Sequence, residues 1–204
     1  MWAAGPGLHG VAFADVSVGE LGGALTYLRA TTSRRPSVRS LTALTGDAEA
    51  QFRVGKNLLF EASIDGRKAA EANEWLLKAA RNGHTGAMIQ LGRMYRSGIG
   101  ALQNYAYSAQ WIGKAAESGD AEGMLELARL YRDGVGVEQD PERAYVWFNR
   151  AAAMHHGDAA RERDGIGRKL SPDQLERAQR RSEEPADEFG PAVRPEPDDE
   201  TKRD

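Results

Sequence analysis

The chain has 204 residues, 41% hydrophobic and 28% charged, with a net charge of −3 and no cysteine. Without cysteine there are no disulfides, no thiolate nucleophile and no Cys-ligated zinc. A slightly acidic balance without a dense basic surface argues against nucleic acid as a partner, and no apolar run is long enough for a transmembrane segment.

Residues 1–45 read as a poorly ordered N-terminal segment. Within it, Leu21, Ala24, Leu25 and Leu28 fall at helical spacing, so a short helix is expected at about 18–30, as a cap or an extra degenerate repeat. The polar stretch 31–40, with Arg34, Arg35 and Pro36, reads as a linker. Met1 to Gly10 carries no Lys or Arg, and Asp15 and Glu20 interrupt the apolar stretch that follows. A secretory leader therefore lacks its usual parts, and a cytoplasmic location is expected.

From residue 46 the pattern becomes periodic. Trp75, Trp111 and Trp147 stand thirty-six residues apart, and 75–110 shares thirteen of thirty-six residues with 111–146, where unrelated segments would share about two or three. Helices are expected at 47–61 and 66–82, 85–97 and 104–118, 120–132 and 141–155, and 158–169. A last helix begins at Ser171, where Ser-Pro-Asp-Gln is a capping box with proline in the first turn. Gly46-Asp47, Gly119-Asp120 and Gly157-Asp158 each read as a left-handed glycine followed by an aspartate N-cap. On this basis the register slips by two residues at Gly157, beyond which the charged run Arg161 to Lys169 suits a terminal cap. Gly92 inside a helix implies that another backbone or a large ring packs against it. The tryptophans are expected to be buried core, each against its partner helix and the adjoining repeat. The array is placed at 46–183, followed at 184–204 by a disordered acidic, proline-rich tail.

The residues Trp75-x-x-Lys78-Ala79-Ala80, Leu91-Gly92…Tyr95…Gly98-Ile99-Gly100 and Leu127-Ala128…Tyr131…Gly134-Val135-Gly136…Trp147 resemble the Sel-one-like repeat (SLR) family, a subset of the tetratricopeptide-like solenoids. The resemblance implies an all-α fold, an α/α solenoid of antiparallel helix pairs wound as a right-handed superhelix, serving as an adaptor or scaffold. It implies no catalytic residue, and no cofactor and no small-molecule substrate are expected.

The two Gly-x-Gly elements follow helices, not strands, and so read as helix ends rather than phosphate loops. His155, His156 and Asp158 offer metal-type donors, but adjacent histidines on a helix point about 100° apart, so no metal is assigned. The candidate site is a cationic ladder. Aligning the repeats on Gly55, Gly92 and Ala128 places Lys56, Arg93 and Arg129 in one column, Arg96 and Arg132 one turn on, and Arg53, Gln90 and Glu126 nearby. By the resemblance these positions face the concave groove, where guanidinium groups suit carboxylates. The expectation is a non-enzymatic scaffold that binds a protein or an acidic peptide on its concave face. The competing reading of these arginines is solvation or local pairing, as Glu126 with Arg129. Two further alternatives are a structural subunit docking through the array ends and a metal-dependent enzyme built on the histidines.

Overall fold

A computed structural model describes residues 46–62 and 67–185. The expected helix at 18–30, the linker, the first repeat's loop at 63–66 and the tail from 186 lie outside them. Eight helices fill the described residues: α1 Ala48–Ala62, α2 Arg67–Arg81, α3 Thr85–Ser97, α4 Tyr105–Glu117, α5 Ala121–Asp133, α6 Pro141–Ala153, α7 Gly157–Gly167 and α8 Pro172–Ser182. The chain packs α1 on α2, α3 on α4 and α5 on α6, and each second helix then packs on the next first helix. First helices also approach one another directly, as α3 does α5, whereas α8 packs back onto α6. The result is an α/α solenoid with a first-helix layer (α1, α3, α5, α7) and a second-helix layer.

Local sequence sets the boundaries. Asp47, Asn104, Asp120 and Asp140 accept hydrogen bonds from free amides of the turn that follows, and Ser171 and Gln174 form the expected capping box. The aspartate signal fails at one place. Helix α7 starts at Gly157, one residue earlier than expected, and Asp158 lies in its first turn. His156 occupies the N-cap, and His155 takes the positive φ of 61° that Gly83 and Gly119 take elsewhere. The thirty-six-residue period therefore continues through this point. The apparent slip came from matching Gly-Asp by identity, when the backbone position had passed to a histidine pair.

Two hydrophobic clusters lie between the layers, one around Leu76, Leu91, Met94 and Trp111, the other around Ile112, Leu127, Trp147 and Phe148. Trp111 shares its cluster with Leu76, Ala79 and Ala80 of α2, so each repeat leans on the one before it. Trp147 is fully buried and Trp111 nearly so, but Trp75 is only half-buried, which corrects the expectation that all three are core. The unit preceding Trp75 would come from residues outside the described ones. The Trp-x-x-Lys spacing has a physical basis: the Lys78 and Lys114 ammonium groups stand 4.6 and 4.5 Å from the rings of Trp75 and Trp111, and Arg150 stands 5.1 Å from Trp147.

At Gly92 the close neighbour is not a ring. A Cβ there would lie 2.4 Å from the Ile112 side chain and 3.2 Å from the Ser108 carbonyl of the same hairpin. The second glycine of each Gly-x-Gly loop matters more. At Gly136, where φ is +73°, a Cβ would fall 1.9 Å from the Tyr105 carbonyl oxygen, and Gly100 sits likewise on Ala69. These loops thus rest on the second helix of the preceding repeat.

Candidate interaction face

From α3 to α7 the first-helix layer carries a continuous chain of charge. Three residues apart on α3, Arg93 and Arg96 reach across to α5. There Arg93 Nη2 donates to Glu126 Oε1 at 3.0 Å and Arg96 Nη1 donates to Glu126 Oε2 at 3.2 Å. Arg93 also donates to Glu122. One unit on, Arg129 and Arg132 of α5 take the same positions toward α7, with Arg129 Nε donating to Glu162 Oε1 at 2.8 Å and Arg132 pairing with Glu162 and Asp133. The expected local pair exists as well, with Arg129 Nη1 3.6 Å from Glu126. The unit of construction is therefore a clamp of two arginines, one turn apart, that grips a carboxylate on the next first helix.

Burial of these groups is uneven. Glu126 has a side chain only 6% exposed, while Arg93, Arg96, Arg129 and Arg132 are 31–39% exposed. Burial on its own would lower the pKa of Arg93, but the hydrogen bonds and charges of Glu126 and Glu122 outweigh it and raise it. Arg129 is raised in the same way through Glu162, Glu126 and Glu122. The hydrogen bond from Arg132 holds the Asp133 carboxyl below the usual aspartate range. The guanidiniums of Arg93, Arg129 and Arg132 therefore stay protonated across any ordinary pH.

Five of the eight sequence candidates, Arg93, Arg96, Glu126, Arg129 and Arg132, meet in this network. The other three do not. Arg53 lies 4.0 Å from Glu49 on its own helix, Lys56 sits 5.4 Å from the Phe52 ring centroid, and Gln90 is half-buried at the position Glu126 holds in the next repeat. Sequence reasoning missed Glu122, Glu162 and Asp133. Glu162 stands thirty-six residues after Glu126 and was legible in principle, but the supposed two-residue slip hid it.

A second set of inter-repeat bonds flanks the clamps. His84 Nε2 meets Glu49 Oε2 at 2.9 Å, His156 Nε2 meets Glu122 Oε2 at 3.0 Å, and between them Thr85 donates to Asp120 at 2.6 Å. The proposed metal donors thus part company. His156 binds Glu122, Asp158 pairs with Arg161 and His155 is exposed, and among the described residues no three His, Asp or Glu side chains converge as metal ligands. Nor is any helix among them long and apolar enough to cross a membrane.

Stacked helical hairpins joined by unit-to-unit clamps define a helical-repeat solenoid. The Sel1 repeat family profile matches residues 48–84, 85–120 and 121–156, more than half of the chain. The chain belongs to the Sel1 repeat family, whose members generally serve as protein-protein interaction modules. Among solved structures it is similar to a protective antigen of uropathogenic Escherichia coli displaying an SLR fold, at 28% identity and a TM-score of 0.67. That match covers 83% of this chain but 38% of the antigen, so the chain spans well under half the antigen's length. It is also similar to a Sel1 repeat protein from Oxalobacter formigenes, at 31% identity and a TM-score of 0.56, over 62% of this chain and 95% of that one. A search of curated proteins gives no match.

Proposed function

We propose that this chain is a non-enzymatic scaffold that holds a partner protein, or an acidic peptide segment of one, along the first-helix face. The observation that carries this reading is the row of four clamped guanidinium groups. Each has five N–H donors, and Arg93 and Arg96 spend only some of theirs on Glu122 and Glu126. Ion pairing fixes these groups in place while leaving about a third of each exposed, so the ordering cost of recognition is reduced before a partner arrives. Family membership supports a protein as the partner.

The test is affinity capture with the full chain as bait, followed by mass spectrometry. Arg93→Gln and Arg96→Gln are introduced with Glu126→Gln, so that no buried carboxylate loses its counterions. Loss of specific wild-type partners, in a variant whose helical circular dichroism is unchanged, supports the face as the binding site. Retention of every partner overturns it. The alternative of a structural subunit, expected to dock through the array ends, finds its exposed apolar side chains instead in the middle repeat, at the α3–α4 loop, where Ile99 and Leu102 are 54% and 92% exposed. It calls for concentration-dependent oligomerisation that those three substitutions leave unchanged.

A further inference from the structure

The clamp pattern has an open end. Arg93 with Arg96 grips Glu126, and Arg129 with Arg132 grips Glu162. Thirty-six residues further on, the clamp positions of α7 are Gly165 and Arg168. No further first helix follows among the described residues, because α8 turns back onto α6. Arg168 and its neighbour Lys169 are exposed and have no ion-pair partner among the described residues. They line a concavity of about 400 Å³ with Arg132, Glu162, Gly165 and Ile166. A Cβ built on Gly165 meets nothing within 4 Å, so the missing arm of the clamp faces open space.

We propose that this end of the first-helix layer is a docking site for a carboxylate-rich segment of a partner protein, which supplies the anion that a further repeat would have placed beside Arg168. Charge sets the chemistry of the occupant. Two cations, Arg168 and Lys169, have no ion-pair partner there among the described residues, and Glu162 is already held by Arg129 and Arg132. A second copy stacked head-to-tail is the wrong partner, because α1 presents Arg53 at the position of Glu126 and Glu162 and would set cation against cation. The site goes beyond the face of α3 and α5 and does not rest on it. Arg93 and Arg96 take no part here, so the two proposals fail independently.

The probe is fluorescein-labelled decaglutamate, with decaglutamine as the neutral control, read by fluorescence anisotropy on the full chain at low salt. Decaglutamate binding should weaken about tenfold in Arg168→Glu/Lys169→Glu, the size of a partly exposed pair of charge contacts. It should tighten several-fold in Gly165→Arg, which installs the second arm in open space and improves the helix locally. Equal affinity across the wild type and both variants overturns the proposal. So does equal binding of decaglutamine. Neutralising the chain's own tail with Asp198→Asn, Asp199→Asn and Glu200→Gln should leave affinity unchanged. A several-fold tightening there would assign the site to the tail and overturn a partner as its occupant. Dimerisation abolished by Arg168→Glu would assign it to a second copy, with the same consequence.

Discussion

Glu126→Gln is the most informative single change in the inter-repeat network. The carboxylate is almost fully buried and faces three guanidinium groups, those of Arg93, Arg96 and Arg129. Glutamine fits sterically, because Gln90 fills the equivalent position one repeat earlier. What changes is the charge, and an amide N–H₂ now faces N–H donors. Were all four groups buried, breaking such a set would cost about 3–5 kcal/mol. Here the guanidiniums are 31–39% exposed and water takes up part of the loss, so each contact falls nearer the surface range and the total comes to about 2 kcal/mol. For an array of this size that lowers the thermal midpoint by about 4–8 °C. The first interface supplies the control, since Lys56 and Leu59 stand there in place of the arginine pair opposite Gln90. Adding Arg93→Lys and Arg96→Leu to Glu126→Gln copies that arrangement and should recover at least half of the loss. Urea denaturation followed by circular dichroism across this cycle measures the coupling. A single substitution costing under about 0.3 kcal/mol, or a triple variant as unstable as its parts summed, would refute the reasoning.

Other outcomes follow from local geometry. Gly136→Ala should cost about 3 kcal/mol or more, combining left-handed strain of about 1–2 kcal/mol with a backbone clash on α4. Gly119→Ala, at φ +84° with open space around it, should cost only the strain, so equal denaturation midpoints for the two would count against the clash. Trp147→Ala should lose about 3–5 kcal/mol and Trp75→Ala less than half of that, as calorimetry of the two variants would report. The hydrogen bond from Arg177 holds Glu142 below its ordinary 4.5. That pair therefore contributes fully above the unfolded glutamate pKa and is lost as pH falls through the depressed folded value. Arg177→Met should raise the Glu142 titration midpoint seen by NMR, and an unmoved midpoint would show that the pair is not formed in solution.

The helices and their order were legible because period, caps and apolar stripes all repeat the same instruction, and a repeat array shows that instruction three times over. Caps were read correctly where chemistry and residue type coincide, as at Asp120, Asp140 and Ser171. They were misread at His155-His156, where the backbone kept the pattern and the side chains did not. The burial of Trp75 was over-predicted for a different reason. A repeat motif specifies which face is apolar, but the neighbour that covers that face comes from the adjoining unit, which for Trp75 lies outside the described residues.

The spacing that puts Arg93 with Arg129 and Arg96 with Arg132 in columns says nothing of what those columns meet. Periodicity fixes which residues share a face of one helix, while ion pairing depends on the stagger between helices. A carboxylate therefore pairs with arginines thirty and thirty-three residues earlier, as Glu126 does with Arg96 and Arg93 and Glu162 does with Arg132 and Arg129. Once that offset is known, sequence alone becomes predictive. In any stack built this way an i, i+3 arginine pair calls for an acidic residue thirty-three positions after its first member, and where the chain supplies none the clamp stays open. By that rule, with the offset one residue longer because the first repeat spans 48–84, the first interface, with Lys56, Leu59 and Gln90, is the weakest electrostatic joint among the described repeats. Hydrogen exchange should accordingly find α1 and α2 opening before α5 and α6. Uniform protection from α1 to α6 would show that apolar packing, rather than the clamps, sets the order in which the units separate.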